Sequence, residues 1–332
     1  KINYYLSQKW SLTTIMDSDG DGYTDAEEDA FGSSPIDASS TVKVDFSTAV
    51  HDKANNGAND LDGLEANLKL WLDAKNINAT QNTGIANDDT ITRWLDLSGS
   101  GHVAKQPITS EKAKYNSTNQ SLTFDGSDDF YGIGKNLTSS TSYTVIVVEK
   151  RNASKTNNFF FGQDGINSAN KNIHLGYRND TELTLAHFNN DLNASVGAQS
   201  GTDISVFRFK KNISPSHFIN YNGTLIGSGN GGNALEGSGS NIIGKFQSVN
   251  GSTITNDFYN GEIKEVMVFN TNLSDTDVIK INYYLSKKWG LEATVDSDED
   301  NYTDAEELAF GSSPTDPTSK IKIDFSPLSI SN

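Results

Sequence analysis

The sequence contains no cysteine, so neither a disulfide bond nor thiol chemistry is available to this protein. Its fold must be stabilised by an apolar core or by bound metal. Basic residues are scarce too: 26 Lys and Arg stand against 43 Asp and Glu, and the formal net charge is −17. This charge argues against a nucleic-acid partner, because such a protein must neutralise phosphates. No apolar run approaches the roughly 20 residues of a membrane-spanning helix, so no membrane span is predicted.

One segment of the chain occurs twice. The first copy, KINYYLSQKWSLTTIMDSDGDGYTDAEEDAFGSSPID, begins at Lys1, and the second, KINYYLSKKWGLEATVDSDEDNYTDAEELAFGSSPTD, begins at Lys280. Such a duplication is typical of a tandem array in which one complete repeat is followed by the start of the next. We therefore expect residues 1–12 to end a helix of a preceding repeat, and Lys1 not to be the natural start.

Each copy contains an acidic loop with the ligand spacing of a calcium site. Counting from the first aspartate, carboxylates occupy positions 1, 3, 5, 9 and 12, and a tyrosine at position 7 offers its backbone carbonyl. The first loop supplies Asp17, Asp19, Asp21, Tyr23, Asp25 and Glu28, and the second supplies Asp296, Asp298, Asp300, Tyr302, Asp304 and Glu307.

The alternative interpretation is a solvated acidic loop that caps a helix and holds no metal. Carboxylates packed this closely repel one another strongly without a counter-ion, and both copies keep all of them. The many oxygen ligands and the flexible geometry favour Ca2+ over Mg2+. At position 6 the second loop has Asn301 where the first has Gly22. Because Asn tolerates a left-handed backbone less well than Gly, we expect the second site to bind calcium more weakly.

Helices are predicted around these loops. After the first loop, Thr24 caps a short helix that Gly32 ends. Before the second loop, Ser274 and Asp277 form a capping box ahead of an apolar stripe at helical spacing, which Gly290 ends. The segment GLEATV separates that helix from the loop, which argues against an ordinary EF-hand.

The loops resemble the calcium-binding repeats of the thrombospondin type 3 kind found in bacterial surface proteins. The shared pattern is an acidic loop such as DSDGDGYTDAEE, then a glycine and a Ser-Pro-x-Asp tail, here GSSPID and GSSPTD. The resemblance implies structural calcium sites that act as stiff connectors between domains. It also offers Asp37 and Asp316, in the two tails, as further ligands.

About a dozen short strand patterns lie between residues 64 and 291, separated by Gly, Asn, Asp and Ser. The longest apolar run is YTVIVVEK at 143–150. The pattern predicts an all-β fold of two packed antiparallel sheets rather than a parallel α/β fold. A further strand is predicted at 41–47, and a linker follows it.

The segments LWLDA, WLDLSGSGHVAKQ, FDGSDDF and GEIKEVMVFNTNLSDTD resemble the concanavalin A-like, laminin G-like jelly rolls of large bacterial surface proteins. The resemblance implies a jelly-roll sandwich with a C-terminal helix, flanked by small connectors made of a calcium loop and a helix. The expected units are residues 1–12 as the end of a preceding repeat, 13–63 as a calcium-binding connector with strand and linker, 64–291 as the jelly roll, and 292–332 as the second calcium-binding connector.

No catalytic constellation is predicted, and we expect the chain not to be an enzyme. Glu262 and Glu265 are three residues apart, so a regular strand would place them on opposite faces, where they cannot act as a glycosidase pair. The histidines show no metal-binding spacing. A sugar-binding site stays open as an alternative to plain surface and turn roles for these residues: Asp128, Asp129, Tyr131, His174, Tyr177, Arg178, His187 and Asn189.

The sequence favours a structural, calcium-stiffened repeat module of a giant extracellular filamentous adhesin on a bacterial surface. Its partners would be the adjacent repeats of the same chain. The alternative is a lectin module displayed in many copies, whose weak contacts with surface glycans add through avidity. A glycoside hydrolase is the third and least favoured hypothesis.

Overall fold

The computed structural model describes residues 2–13, 16–20, 25, 34–37, 40, 63–197, 201–229 and 233–321. Two β-sheets pack face to face in this part of the chain, which confirms the predicted all-β sandwich. The helices are α1 (Ile2–Lys9), α2 (Asp275–Trp289) and α3 (Asp304–Phe310). None of the helices in the described ranges is long and apolar enough to cross a membrane. The strand predicted at 41–47 and its linker lie outside the described residues.

The first sheet has eight strands, all paired antiparallel. Their order across the sheet is β14 (Thr224–Gly229), β13 (His217–Tyr221), β12 (Asp203–Phe209), β7 (Tyr143–Arg151), β18 (Asn260–Phe269), β5 (Ser121–Asp125) and β4 (Lys114–Asn116), and β1 (Leu68–Asp73) also pairs with β18.

The second sheet has ten strands. Their order is β11 (Asp191–Ser195), β10 (Glu182–Ala186), β9 (His174–Asn179), β8 (Asn158–Ile166), β15 (Asn241–Ile243), β6 (Tyr131–Gly132), β3 (Val103–Lys105) and β2 (Arg93–Leu95). A hairpin of β16 (Lys245–Asn250) and β17 (Thr253–Phe258) joins this sheet through a parallel pairing of β16 with β8.

Strand β7 is buried on both of its faces, which explains its unbroken apolar run. Val145 and Val147 point into the core between the sheets. Ile146 and Val148 point the other way, into a second apolar cluster on the outer face of the first sheet. That outer face is where α2 packs.

Helix α2 begins and ends as the sequence predicts. Ser274 accepts a hydrogen bond from the amide of Asp277, the side chain of Asp277 completes the capping box, and Gly290 ends the helix at a φ of 67°. Its buried apolar residues, Val278, Ile281 and Leu285 among them, pack on the outer face of the first sheet.

A buried ion pair fixes α2 on the sheet. The Nζ of Lys288 lies 2.8 Å from a carboxylate oxygen of Asp73 on β1 and 2.8 Å from one of Glu265 on β18. The indole N–H groups of Trp71 and Trp289 donate to Glu265 at 2.7 and 2.6 Å. Burial alone would lower the pKa of Lys288, but the two carboxylates, Asp73 first, raise it well above its usual value. We call these five residues the lysine lock.

A shift of register in β18 corrects one sequence-based expectation. The shift lies between Ile263 and Glu265, and as a result Ile263 and Val266 both face the core between the sheets. Glu262 and Glu265 therefore share the outer face, and the expectation that they lie on opposite faces is wrong. Each already has partners: Glu262 accepts from the hydroxyl of Ser121 at 2.7 Å, and Glu265 belongs to the lysine lock.

We expect Lys288→Met to destabilise the folded protein by about 3–5 kcal/mol, because it leaves two buried carboxylates without their cation. Lys9→Met, at the equivalent position of the first copy, is the matched control. Lys9 is exposed, so its change should stay within about 0.5 kcal/mol. Urea unfolding followed by tryptophan fluorescence measures both. Equal unfolding midpoints for the two variants would show that the lock adds nothing to stability.

Candidate calcium site

The second acidic loop follows α2 and leads into α3. One carboxylate oxygen each of Asp296, Asp298 and Asp300 lies within 4.8 Å of the other two. Asp298 and Asp300 are buried, as is Glu307 on α3, and the charge of Asp298 acts on Glu307. The structure therefore brings these four predicted ligands into one neighbourhood.

Three buried carboxylate oxygens of this loop accept no hydrogen bond within the described ranges, namely both oxygens of Asp298 and Oε2 of Glu307. A buried carboxylate without a donor or a cation is costly. Burial, reinforced by the neighbouring carboxylates, raises the pKa of Asp298 to about 6 and that of Glu307 to about 7. A hard cation that prefers oxygen ligands would satisfy all three atoms, so the residues present fit Ca2+.

The backbone of the loop wraps around the carboxylate of Asp296. That carboxylate accepts the amides of Asn301 and Asp300 at 2.9 and 3.2 Å. Asn301 has a φ of 77°, as its place at the predicted turn requires, and Glu299 is also left-handed at 64°. The amide of Tyr302 donates to Asp300 at 3.0 Å. The role of the Tyr302 carbonyl as a ligand stays a prediction.

The carboxylate of Asp304 holds the loop to α2. It accepts the amide and the hydroxyl of Ser297, both at 2.9 Å, and the hydroxyl of Ser286 on α2. Leu291 and Val295, between the helix and the loop, are buried in the apolar cluster beneath α2. These contacts give Asp304 a structural role, and its role as a ligand stays a prediction.

The described part of the first copy repeats this arrangement. Asp25 accepts the amide and the hydroxyl of Ser18 at 2.9 and 2.8 Å, and the hydroxyl of Ser7 on α1. Gly20 donates its amide to Asp17 at 2.7 Å. Asp19 is described as well, whereas three predicted ligands of the first loop lie outside the described residues: Asp21, Tyr23 and Glu28.

The second loop also docks on the hairpin between β13 and β14. Glu299 accepts the amide of Leu225 at 2.7 Å, and the amide of Asp296 donates to the carbonyl of Asn222 at 3.2 Å. Gly223 has a φ of 92°, and a Cβ there would lie 1.7 Å from the carbonyl oxygen of Asp296. Nothing in the spacing of the loop predicts this contact, because the hairpin and the loop are distant in sequence.

Several sugar-binding candidates of the sequence lie inside the fold. Tyr131, Tyr177 and His187 are fully buried, and His174 is nearly so. The hydroxyl of Tyr177 donates to Glu149 at 2.6 Å, and burial raises the pKa of Glu149 to about 7. These side chains stabilise the interior and do not face a ligand at the surface. The other four candidates are Asp129, which is buried, Asp128 and Arg178, which are half-buried, and Asn189, which is exposed.

A different surface carries half-buried aromatic rings beside carboxylates. The rings of Phe130 and Phe258 lie 6.5 Å apart, and the Nζ of Lys245 lies 3.5 Å from the centre of the Phe130 ring. Next to Phe130 in sequence, Asp128 and Asp129 place carboxylate oxygens within 4.8 Å of each other. We call Phe130, Phe258 and Lys245 the phenylalanine rim. Sequence patterns did not single it out, because Phe130 and Phe258 are far apart along the chain.

We expect Gly223→Ala to separate the loop from the hairpin, because the new methyl group has no room beside Asp296. Gly251→Ala is the matched control, since Gly251 is also left-handed, at 60°, but faces open space. Both variants carry a backbone cost of about 1–2 kcal/mol, so the additional loss in Gly223→Ala isolates the contact. Urea unfolding gives the free energies, and hydrogen exchange at 296–297 reports the separation. Equal losses, with unchanged exchange at 296–297, would contradict the docking.

No family model and no curated protein matches the sequence. Among solved structures, the Trypanosoma rangeli sialidase in complex with sialic acid is similar at a TM-score of 0.45 and 12% identity, covering 67% of this chain and 33% of the sialidase. The Ruminococcus gnavus IT-sialidase CBM40 bound to alpha2,3 sialyllactose gives 0.39 and 15%, covering 49% of this chain and 95% of the module. Domain 4 of AbnA, a GH43 extracellular arabinanase from Geobacillus stearothermophilus, in complex with arabinotriose, gives 0.39 and 17%, covering 63% and 94%. The chain thus spans about a third of the sialidase that it resembles.

Proposed function

We propose that this chain is a calcium-stabilised structural repeat of an extracellular filament that mediates attachment at a bacterial surface, built on a concanavalin A-like, laminin G-like jelly roll. The observation that carries the proposal is the set of buried carboxylate oxygens of Asp298 and Glu307 that have no hydrogen-bond donor among the residues that the structure describes. Burying a carboxylate without a hydrogen-bond donor is costly, and a bound cation would offset that cost. The proposal assigns no catalytic step to the chain.

In this proposal calcium joins three parts of the same unit. Asp298 and Asp300 would hold the ion from the loop, and Glu307 would hold it from α3. Asp304 and Glu299 bind the loop to α2 and to the β13–β14 hairpin. The ion would therefore stabilise the sandwich itself, by RT ln(1 + [Ca]/Kd), or about 3 kcal/mol at a hundredfold excess over Kd.

The extracellular location that we propose would supply the calcium. Millimolar external calcium would fill most of a site of this class whose Kd is about 10⁻⁴ M. A chain without cysteine has no disulfide bond to rely on, so metal and core must stabilise it. The net charge of −17 would keep neighbouring filaments apart. Adjacent repeats of the same chain would be the immediate partners.

We expect millimolar calcium to raise the melting temperature of the sandwich by about 5–10 °C relative to chelator, from the stabilisation above and the usual scaling for a domain of this size. Glu307→Gln should abolish this shift, because position 12 supplies two ligand oxygens. Glu28→Gln is the matched control: it should remove one bound calcium in isothermal titration and leave the shift intact. A melting temperature indifferent to calcium, or a full shift in Glu307→Gln, would contradict the proposal.

A second function is supported by the phenylalanine rim. Half-buried rings offer an apolar surface for the face of a sugar, and the half-buried Asp128, two residues before Phe130, offers an acceptor for its hydroxyl groups. We propose a weak glycan-binding site there, displayed once in each repeat. The two functions are compatible, since an adhesin needs both length and attachment.

We expect Phe130→Ala to weaken binding of any glycan captured on an array by about tenfold or more, since the ring supplies the stacking surface. Phe310→Ala, an exposed phenylalanine on α3 away from the rim, is the control and should bind as the unaltered chain does. Loss of binding in both variants, or in neither, would count against the rim as the site.

A further inference from the structure

Helix α1 presents an apolar face to solvent. Ile2, Tyr5 and Trp10 are 76%, 61% and 65% exposed, and Leu6 and Leu12 on the same side are partly exposed. Exposed large side chains are common singly, but five on one side of this helix and the turn that follows it indicate a surface that is covered by something else. None of the described residues covers it.

The same sequence is buried where it occurs a second time. Residues 1–12 and 280–291 differ at two positions, where Gln8 and Ser11 stand for Lys287 and Gly290. The equivalents of the exposed stripe pack on the outer face of the first sheet as part of the cluster beneath α2: Ile281, Tyr284, Leu285, Trp289 and Leu291. The stripe on α1 thus has a known complement, and that complement is on this chain.

The backbone of α1 already has the shape that α2 has when docked. Ser11 is left-handed at 56°, where Gly290 is at 67°. The amide of Leu12 donates to the carbonyl of Ser7 at 2.7 Å, as that of Leu291 does to Ser286. A left-handed backbone costs free energy at a non-glycine residue such as Ser11. The end of α1 nevertheless adopts the same backbone geometry as the end of α2. Docking would then need no rearrangement of the helix.

The charge of α1 fits the same groove. Lys9 is the equivalent of Lys288, the cation of the lysine lock. Within the described part of the chain its cationic contacts are with the rings of Tyr5 and Trp10, at 5.8 and 5.6 Å, and no carboxylate there pairs with it. Asp73 and Glu265 form a buried site that is costly to leave without a lysine. A lysine at this place on an apolar helix is what that site requires.

We propose that α1 is the closing helix of a second copy of this sandwich, joined ahead of it in series, and that it fills the groove that α2 fills here. The surface that covers the exposed face of α1 is the outer face of the eight-stranded sheet in that second copy, with its Trp71, Asp73 and Glu265. The inference deepens the proposed repeat function and names its interface. The first acidic loop would then belong to that other sandwich, because the hydrogen bond of Ser7 with Asp25 attaches it to α1. In the same way, the hydrogen bond of Ser286 with Asp304 attaches the second loop to α2 of this sandwich.

The first loop would sit on its sandwich with one contact fewer. Glu299, which accepts the amide of Leu225, has Gly20 as its equivalent in the first copy. Gly20 has no side chain to reach the hairpin of the second copy. The contacts of α1 would therefore contribute more to this interface than those of the loop.

The test is a chain in which residues 63–279 precede the complete 1–332 chain, compared with 1–332 alone. Hydroxyl-radical footprinting read by mass spectrometry follows Trp10 and Trp289 separately. In the single chain Trp10 should react several-fold faster than Trp289, and in the series chain its rate should fall to that of Trp289. Lys9→Met, silent in the single chain, should lower the melting temperature of the upstream sandwich in the series chain as Lys288→Met lowers that of the downstream one.

A series chain whose upstream copy carries Asp73→Asn and Glu265→Gln is the control, and it should lose both the protection of Trp10 and the effect of Lys9→Met. Unchanged reactivity of Trp10 in the series chain would overturn the inference. The inference would also be overturned if Trp10 of the single chain became more protected as the protein concentration rises. That result would mean that a separate molecule, and not a sandwich joined in series, covers α1. Each measurement is made in calcium and in chelator. Because the lysine lock contains no calcium ligand, protection in both conditions supports the docking even if the loops bind no calcium.

Discussion

The buried ion pair of Lys288 with Asp73 and Glu265 is the interaction on which the rest of the structure depends. It fixes α2 on the outer face of the first sheet, and α2 carries the serine that holds the acidic loop. An incomplete set of buried charges is far more costly than a complete one. The ion pair therefore favours this one rotation and position of the helix, and the loop is attached to the helix in that position.

From this fixed point the carboxylates of the loop divide into two groups. Asp304 and Glu299 are used as hydrogen-bond acceptors for serine and backbone donors, and they attach the loop to the helix and the hairpin. Asp298 and Glu307 are buried, and three of their carboxylate oxygens receive no hydrogen bond from any residue in the described part of the chain. Lys320, 3.3 Å from Asp300, offsets part of the charge but remains largely exposed. The fold thus concentrates negative charge that a cation would neutralise, and this concentration follows from the docking.

Sequence reasoning succeeded where structure is set by neighbours along the chain. The caps at Ser274 and Gly290, and the left-handed turn at Asn301, depend on residues within a few positions, and the spacing shows them. It failed where contacts are long-range. The bulge in β18 puts Glu262 and Glu265 on one face, and the fit of Gly223 against the carbonyl of Asp296 joins parts of the chain that no local pattern relates. Burial of Tyr177 and His187 was missed for the same reason, since polar aromatic residues at a strand position fit either face until the opposite sheet is known.

The docking also determines which unit the calcium energy would act on. A loop that swung freely between two domains would change only their relative freedom when it bound an ion. This loop is joined to the sandwich before it by Asp304, by Glu299 and by the apolar packing of Leu291 and Val295. Calcium binding there would stabilise that sandwich and its closing helix, because the site exists only when the loop, the helix and the hairpin are folded together. A repeat built this way would resist unfolding more strongly in calcium than in chelator.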